Sequence, residues 1–538
     1  MAPTAADDLV QRLDQLNAIG ASLSAERDIN RLLEAILTAA KTITRADGGT
    51  LYRVADDKSL RFEIVRTSSL KFYLGGTTGN PIPFYPIQLY RDGKPNHSMV
   101  AAHAALTGRT VNIADAYTAE GFDFTGTRAF DAKTGYRSKS FLTVPMRNHE
   151  GAAIGVLQLI NAQDPRSGEI VAFSASDQRL AESLASQAAV ALTNRMLIDQ
   201  LEQLFESFIK LINSAIDEKS PYTGGHCQRV PMLTMLLAEA VNETREGPLA
   251  DFHMTDKDRY ELKIAGLLHD CGKVTTPVHV VDKATKLETI FDRVQLIDTR
   301  FEVLKRDAEI DSLRRRASMD AMQVADEERR LRDALRRLDD DRKFLHACNI
   351  GGERMRDEDV ERVQRIARYR WRDVSGHEAD FLTGDEVKNL TIRAGTLTDE
   401  ERKIINHHIV ATIKMLEALP WPKHLTKVPE YAGGHHERMD GKGYPKGLKR
   451  EQMSVQARCM GIADIFEALT AKDRPYKKGK TLSESLEILG RMKQSQHIDP
   501  DLFDIFVRRK VYRRYAELFL DKEQIDDVDE SRIPGYQA

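Results

Sequence analysis

The second half of the chain places ionisable side chains on the apolar faces of predicted helices, and this feature strongly constrains the fold. In one predicted helix, Ile404, His408 and Met415 fall on a single apolar stripe, whereas His407 aligns with lysines. The same spacing turns three more side chains inward: His226, His269 and Asp464. A buried, ionised carboxylate costs several kcal/mol unless it is paired or bound to a metal. This half must therefore contain a compensated polar centre.

Two adjacent pairs extend this set, His269-Asp270 and His435-His436. One inward histidine is more often a hydrogen-bonded core residue than a ligand. Five imidazoles and two carboxylates together, however, suit two transition-metal ions better than Ca²⁺ or Mg²⁺. Neighbouring residues on a helix differ by about 100° in direction, so His269 can hold one ion while Asp270 leans across to a second. The sequence therefore predicts a dinuclear centre.

Two strings in this half resemble the signatures of the HD-GYP phosphodiesterases. They are LLHDCGK at residues 267–273 and HHERMDGKGYP at residues 435–445. A bare His-Asp dipeptide arises by chance in most chains, but the longer string is specific. The resemblance covers residues 208–519, and it implies hydrolysis of cyclic di-GMP to pGpG and possibly to GMP.

The resemblance also implies a role for each site residue. One ion would be held by His226, His269 and Asp464, and the other by His408, His435 and His436. Asp270 would bridge the two ions, which would be divalent transition metals, iron or manganese. Asp270 and Lys273 would be the catalytic residues. Substrate contacts would come from Lys273, Gly443, Tyr444, Pro445, Arg474 and Lys477.

Three positions depart from the family pattern. Tyr222 stands where some members have a glutamate that helps to hold a third metal, which favours two ions here. Thr412 stands where glycine is usual. A long segment separates Lys273 from the capping box that begins at Thr398, where typical members have a short connection. Its charged helical part, residues 287–395, predicts a helical hairpin that gates access or builds a dimer contact, and no chemistry is assigned to it.

The first part of the chain alternates apolar and polar residues in short runs that are typical of strands. These runs are residues 50–54, 60–65, 141–146 and 154–160. The strings at residues 134–146 and 154–162 resemble strands of GAF domains, which are sensory α+β modules with an antiparallel sheet. Of a nucleotide-binding signature, Asn161, Phe173 and Asp177 fit, whereas Ala162 and Gln178 replace a lysine and a glutamate. An unknown small ligand and no ligand at all both stay open.

Residues 176–219 contain no glycine or proline and predict one long helix. Apolar residues recur there at alternating steps of four and three: Leu197, Leu201, Leu204, Phe208, Leu211 and Ala215. This spacing predicts a coiled-coil seam and a parallel homodimer. The alternative is an amphipathic helix that packs on its own domain.

These patterns divide the chain into a GAF sensory domain with a leading helix (residues 1–176), a linker signalling helix (177–219) and an all-α HD-GYP domain with a helical insertion (220–538). The net charge of -3, from 79 basic and 82 acidic residues, does not favour nucleic acid or an anionic membrane. Scattered cysteines, and the lack of a signal sequence or a membrane-spanning run, predict a cytoplasmic protein. Two rival functions stay open: a catalytically weak receptor for cyclic dinucleotides, and a phosphohydrolase of another nucleotide.

Overall fold

The structure is a computed structural model that describes residues 5–220, 225–352, 354–472 and 479–537. The chain forms two compact units, Met1–Phe205 and Glu206–Ala538. Three positions singled out in the sequence, Tyr222, Arg474 and Lys477, lie outside the described residues. In the described ranges, no helix has both the length and the apolarity needed to cross a membrane.

The first unit is an antiparallel sheet flanked by helices, which confirms the predicted α+β architecture. Its strands are β1 (Ala46–Val54), β2 (Ser59–Thr67), β3 (Phe72–Gly75), β4 (Ile87–Gln88), β5 (Tyr90–Arg91), β6 (Lys94–Pro95), β7 (Val111–Ile113), β8 (Phe141–Arg147), β9 (Ala153–Gln163) and β10 (Ile170–Val171). The order across the sheet is β3-β2-β1-β9-β8-β7, with β4 beside β2 and β10 beside β9. The four predicted strands lie within β1, β2, β8 and β9.

Five helices accompany this sheet: α1 (Ala5–Ala25), α2 (Ile29–Thr44), α3 (Val100–Thr107), α4 (Thr125–Thr134) and α5 (Ala175–Lys219). Apolar residues of α1, α2 and the first part of α5 form one core with β1, β8 and β9. A separate cluster joins α3 to residues of β1, β2 and β9.

Asn161, in β9, has a positive φ of 59°. Its side-chain oxygen accepts hydrogen bonds from the backbone amides of Lys139 and Ser140.

The later part of α5 carries two different apolar faces. Ile209 and Ile216 are each only 2% exposed, so one face packs inside the second unit. The predicted seam is a different face, with Leu197, Leu201, Leu204, Phe208 and Leu211 between 48% and 64% exposed. The packing of α5 on its own unit therefore leaves the seam uncovered.

The second unit is largely helical, as predicted. Its helices are α6 (His226–Asn242), α7 (Asp256–Leu268), α8 (Val278–Val281), α9 (Val294–Arg316), α10 (Ala321–Asn349), α11 (Asp357–Ala367), α12 (Gly384–Leu390), α13 (Asp399–Glu417), α14 (Val428–Gly433), α15 (Val455–Thr470), α16 (Leu482–Gln494), α17 (Pro500–Arg508) and α18 (Val511–Phe519). A short antiparallel pair, β11 (Arg370–Arg372) and β12 (Glu378–Asp380), adds strands that the sequence patterns did not predict.

The predicted insertion is a small folded body. Helices α9 and α10 form the expected hairpin, and α11, α12 and the β11–β12 pair close one end of it. Its apolar core centres on Phe301 and Phe381, whose ring centroids lie 4.6 Å apart. The insertion therefore has a packed core of its own.

Candidate metal centre

The predicted ligands come from segments that are distant in sequence. His226 is the first residue of α6, and His269 and Asp270 directly follow α7. His408 lies within α13 and Asp464 within α15. His435 and His436 follow α14 and complete the set: all seven side chains meet in one region of the second unit.

One group consists of His226, His269 and Asp464, whose ligand atoms all lie within 4.8 Å of one another. The Nε2 atoms of His226 and His269 are 3.3 Å apart. The Nε2 atom of His226 is also 3.3 Å from Oδ1 of Asp464. Two imidazoles and a carboxylate thus point at one small volume, an arrangement suited to a borderline transition metal.

The other group consists of His408, His435 and His436, and it meets the same distance limit. The Nε2 atoms of His408 and His436 are 3.2 Å apart. Burial lowers the pKa of His435, and it lowers the pKa of His436 to about 4. Both imidazoles are therefore neutral near pH 7, which is the form that binds a metal.

Asp270 lies between the two groups and presents a different oxygen to each. Its Oδ2 atom is 3.2 Å from Nε2 of His226 and 3.3 Å from Nε2 of His269. Its Oδ1 atom is 3.2 Å from Nε2 of His408. Burial raises the pKa of this carboxyl, but the charge of Lys273 together with the contacts of His269 and His226 outweighs burial, so the pKa lies well below its usual range. An ionised carboxylate in this position can act as a bridge.

Two buried polar atoms at this point have no hydrogen-bond partner within the described residues. They are Nε2 of His435 and Oδ1 of Asp270. An unpaired buried polar atom is costly, so a native protein usually supplies an ion, a water molecule or a protein group for it. Two such atoms beside five clustered imidazoles fit a metal-binding centre.

Lys273 lies beside the bridge. Its Nζ atom is 2.6 Å from Oδ2 of Asp270, and its side chain is 21% exposed. Burial lowers the pKa of this ammonium, but the carboxylates of Asp270 and Asp464 outweigh burial and raise it. Lys273 therefore carries a positive charge at the partly open edge of the centre.

The predicted substrate loop reaches the centre through Tyr444, whose ring stacks on His436 with centroids 4.8 Å apart. A Cβ atom on Gly443 would lie 2.4 Å from the backbone nitrogen of Arg438, so this close approach requires glycine. Pro445 follows Tyr444 through a cis peptide bond. The buried Glu437 carboxylate accepts hydrogen bonds from backbone amides farther along the loop, at 2.7 and 2.9 Å. Glu437 thus closes the loop, a role that the sequence analysis did not assign.

The phase of α13 agrees with the expectation for its two histidines but not for the whole stripe. His408 is buried and His407 is exposed, as predicted. Ile404 and Met415, however, are 42% and 39% exposed, so they lie outside the buried face. The buried face instead combines His408 with Ile409, Thr412, Ile413 and Leu416. The buried face of α13 is therefore rotated by part of a turn from the predicted apolar stripe.

Thr412, the departure from the usual glycine, has a structural function. Its Oγ1 atom accepts a hydrogen bond of 2.9 Å from the backbone amide of Gly272. A Cβ atom on Gly272 would lie 2.0 Å from the backbone oxygen of His408. The segment that carries Asp270 therefore packs directly against the backbone of α13, which helps to fix the distance between the two groups.

A second candidate site lies in the first unit, where the sequence left open whether a small ligand binds. A cavity of about 300 Å³ is lined by eight aromatic rings: Tyr52, Phe62, Phe72, Phe84, Phe124, Phe130, Tyr136 and Phe141. Among its described lining residues there is one carboxylate, Asp123, and neither lysine nor arginine. Ligand pockets of proteins are commonly about 300–1,000 Å³ and mostly apolar. The cavity therefore has the size and character of a site for a small molecule.

Comparison with protein families agrees with this architecture. Residues 28–192 match the GAF domain family. Residues 223–338 and residues 383–502 each match HD domains. HD domains are metal-dependent hydrolases, and the clustered histidines and aspartates of the second unit are candidate metal-binding groups. Residues 339–382, between the two HD matches, belong to the predicted insertion.

Three bacterial relatives are similar to part of this chain. The 3′3′-cGAMP-specific phosphodiesterase 1 of Vibrio cholerae is 31% identical over 167 residues, covering 30% of this chain and 37% of that protein. A cyclic di-GMP phosphodiesterase of Pseudomonas aeruginosa is 37% identical over 116 residues, covering 22% and 27%. The cyclic di-GMP phosphodiesterase of Thermotoga maritima is 32% identical over 130 residues, covering 23% and 34%. The chain spans only about a third of the length of these relatives. The chain thus contains regions that match GAF and HD domains, and part of it is similar to cyclic dinucleotide phosphodiesterases.

Proposed function

We propose that the chain hydrolyses a phosphodiester bond of a cyclic dinucleotide, with cyclic di-GMP as substrate, at the centre bridged by Asp270. The observation that carries the proposal is that the Asp270 carboxylate directs one oxygen toward each group of imidazoles. Dinuclear sites of this kind are suited to phosphoryl chemistry, because one ion can stabilise the attacking oxygen and the other the leaving oxygen.

Two divalent transition metals, iron or manganese, would supply Lewis acidity and lower the pKa of the attacking water when bound. The oxygen of that water bonds to phosphorus as the water gives up a proton, the bond from phosphorus to the 3′ oxygen breaks, and the 3′ oxygen takes up a proton. The ring then opens to a linear dinucleotide. Lys273 would place its charge on the scissile phosphate, and Tyr444 would offer a ring to a base of the substrate.

The substrate is tested by incubating the metal-loaded chain with cyclic di-GMP, with 3′3′-cGAMP and with GTP, and by separating the products. We expect cyclic di-GMP to give pGpG. Preferential cleavage of 3′3′-cGAMP or GTP would support the rival, a hydrolase of another nucleotide. Tight binding of cyclic di-GMP with no product would support the other rival, a receptor.

We further propose that the GAF cavity binds an uncharged or singly cationic aromatic molecule, which would be the signal that regulates hydrolysis. The eight rings supply stacking surface, and Asp123 at the cavity supplies a negative charge. A cyclic nucleotide would bring its phosphate into a lining without lysine or arginine among the described residues. Burying an unpaired anion is costly, so nucleotides are disfavoured.

An uncharged fluorophore, N-phenyl-1-naphthylamine, tests the cavity. We expect saturable fluorescence that cyclic GMP does not displace. The substitution Val65→Phe fills part of the cavity and should weaken binding roughly tenfold, or ~1.4 kcal/mol. Val171→Phe, at a 39% exposed position of the same unit, is the control. Displacement by cyclic GMP, or equal binding by the two variants, would refute the assignment.

We propose that the exposed seam of α5 pairs with a second copy of the chain. Its heptad spacing is that of a parallel coiled coil, and its residues are not those that α5 buries in its own unit. Leu204→Glu should therefore convert a dimer into a monomer in sedimentation equilibrium. Lys210→Glu, an exposed change off the seam, should leave the dimer intact. A monomeric unsubstituted chain at micromolar concentration would contradict the proposal.

A further inference from the structure

Four imidazoles of the metal centre have a partner at Nδ1, the ring nitrogen that faces away from the centre, and the partner of one imidazole differs from the other three. In His269, His408 and His435, Nδ1 faces the backbone oxygen of the residue three positions earlier, at 2.6, 2.5 and 2.6 Å. In His226, Nδ1 instead lies 2.5 Å from Oε2 of Glu467, a side chain 241 residues away. The three backbone contacts come from local chain geometry, whereas the fourth depends on one particular side chain.

The position of His226 explains the difference. It is the first residue of α6, and the residue before it, Gly225, has a left-handed backbone with φ of 82°. His226 therefore has no preceding helical turn of α6 to supply a carbonyl. Glu467 takes that place from α15, one helical turn beyond Asp464. One face of α15 thus supplies Asp464 to the centre and Glu467 to the back of His226.

A second contact holds Glu467 itself. The Glu467 side chain is only 1% exposed, and its Oε1 atom accepts a hydrogen bond of 2.7 Å from Nε of Arg229. Arg229 is three residues after His226 on α6. The guanidinium compensates the buried carboxylate and fixes which oxygen faces the imidazole. The three side chains therefore form a chain in the order Arg229, Glu467, His226.

We infer that Glu467, backed by Arg229, is a positioning residue that sets the tautomer and orientation of His226. A carboxylate only accepts hydrogen bonds, so Nδ1 of His226 must carry the proton and Nε2 must present its lone pair to Asp270 and Asp464. Carboxylates behind metal-binding histidines act in this way, and removing such a partner typically weakens metal binding by roughly 10- to 100-fold. The inference rests on the proposed function only through the metal centre, not through the substrate.

Glu467→Gln tests this role while keeping the size of the side chain. If the amide oxygen faces His226, the amide nitrogen meets the donor of Arg229. If the amide is reversed, its nitrogen faces Nδ1 and favours the tautomer that places a proton on Nε2. Both orientations weaken metal binding by the group that contains His226 and leave metal binding by the group that contains His408 unchanged. The matched control is Glu261→Gln, because Glu261 is also buried but accepts from the backbone amide of Lys427.

Manganese binding is measured by equilibrium dialysis on the full chain. We expect Glu467→Gln to weaken the affinity for one of the two manganese ions by roughly 10- to 100-fold and to leave the affinity for the other unchanged. High manganese should then restore turnover, while Glu261→Gln should bind both ions normally. If Glu467→Gln does not fold, Arg229→Gln serves instead, with an expected weakening of a few fold in the same ion. Unchanged binding, or equal weakening of both ions in a folded variant, overturns the inference.

The unsubstituted chain separates this inference from the proposed function. If it binds two ions but cleaves no cyclic dinucleotide, and Glu467→Gln loses one ion, the proposed function fails and the positioning role stands. If it cleaves cyclic di-GMP and Glu467→Gln binds metal normally, the positioning role fails and the function stands.

Discussion

Replacing Asp270 by asparagine should reduce hydrolysis of cyclic di-GMP by at least about 1,000-fold, or ~4 kcal/mol of transition-state stabilisation. The two carboxylate oxygens lie 3.2 Å from Nε2 of His226 and 3.2 Å from Nε2 of His408. Asparagine keeps the shape of the side chain but turns one of these acceptors into a donor. The amide is also neutral, so neither group keeps an anionic ligand at this position, and bound metal should fall from two ions to at most one.

The control for this substitution is Asp256→Asn. Asp256 lies at the start of α7, and its side chain is fully exposed. Its replacement should leave both the metal content and the rate within about twofold, since exposed charges contribute little. Turnover by Asp270→Asn at the rate of this control would show that Asp270 does not bridge two catalytic ions.

The neighbours His407 and His408 provide the second large prediction. His408 is buried with its Nε2 atom 3.2 Å from that of His436, whereas His407 is exposed. His408→Ala should therefore release one ion and reduce the rate by roughly 100-fold or more, because the displacement needs a cation at both oxygens. His407→Ala should bind two ions and react normally. Metal analysis and initial rates of both variants are the measurement, and equal losses in the two would contradict the geometry.

Much of the site could be predicted because its signals are local. Helical phase distinguished His408 from His407 within a single helix. The four predicted strands depended on the local alternation of apolar and polar residues. The pairing of His269 with Asp270 required only the angle between neighbouring residues. Each of these inferences uses contacts within a few residues, where periodicity carries information.

The remaining features depend on contacts that one sequence does not reveal. Glu467 reaches His226 across 241 residues, and Glu467 looked like an ordinary helix residue. Glu437 folds its loop through backbone amides, which leave no mark on the sequence. The GAF cavity is enclosed by rings from four strands, from α4 and from the connecting segments. The offset on α13 arose because apolar Ile404 and Met415 remain exposed, and burial follows tertiary packing more closely than residue type.

The most direct test of the account is a manganese titration of the metal-stripped chain, with bound ions and pGpG formation measured in the same samples. The bridge at Asp270 predicts negligible cleavage of cyclic di-GMP at one ion per chain and the full rate at two. A full rate at one ion per chain would contradict the dinuclear mechanism. Two bound ions with no cleavage would contradict the proposed hydrolysis of cyclic di-GMP.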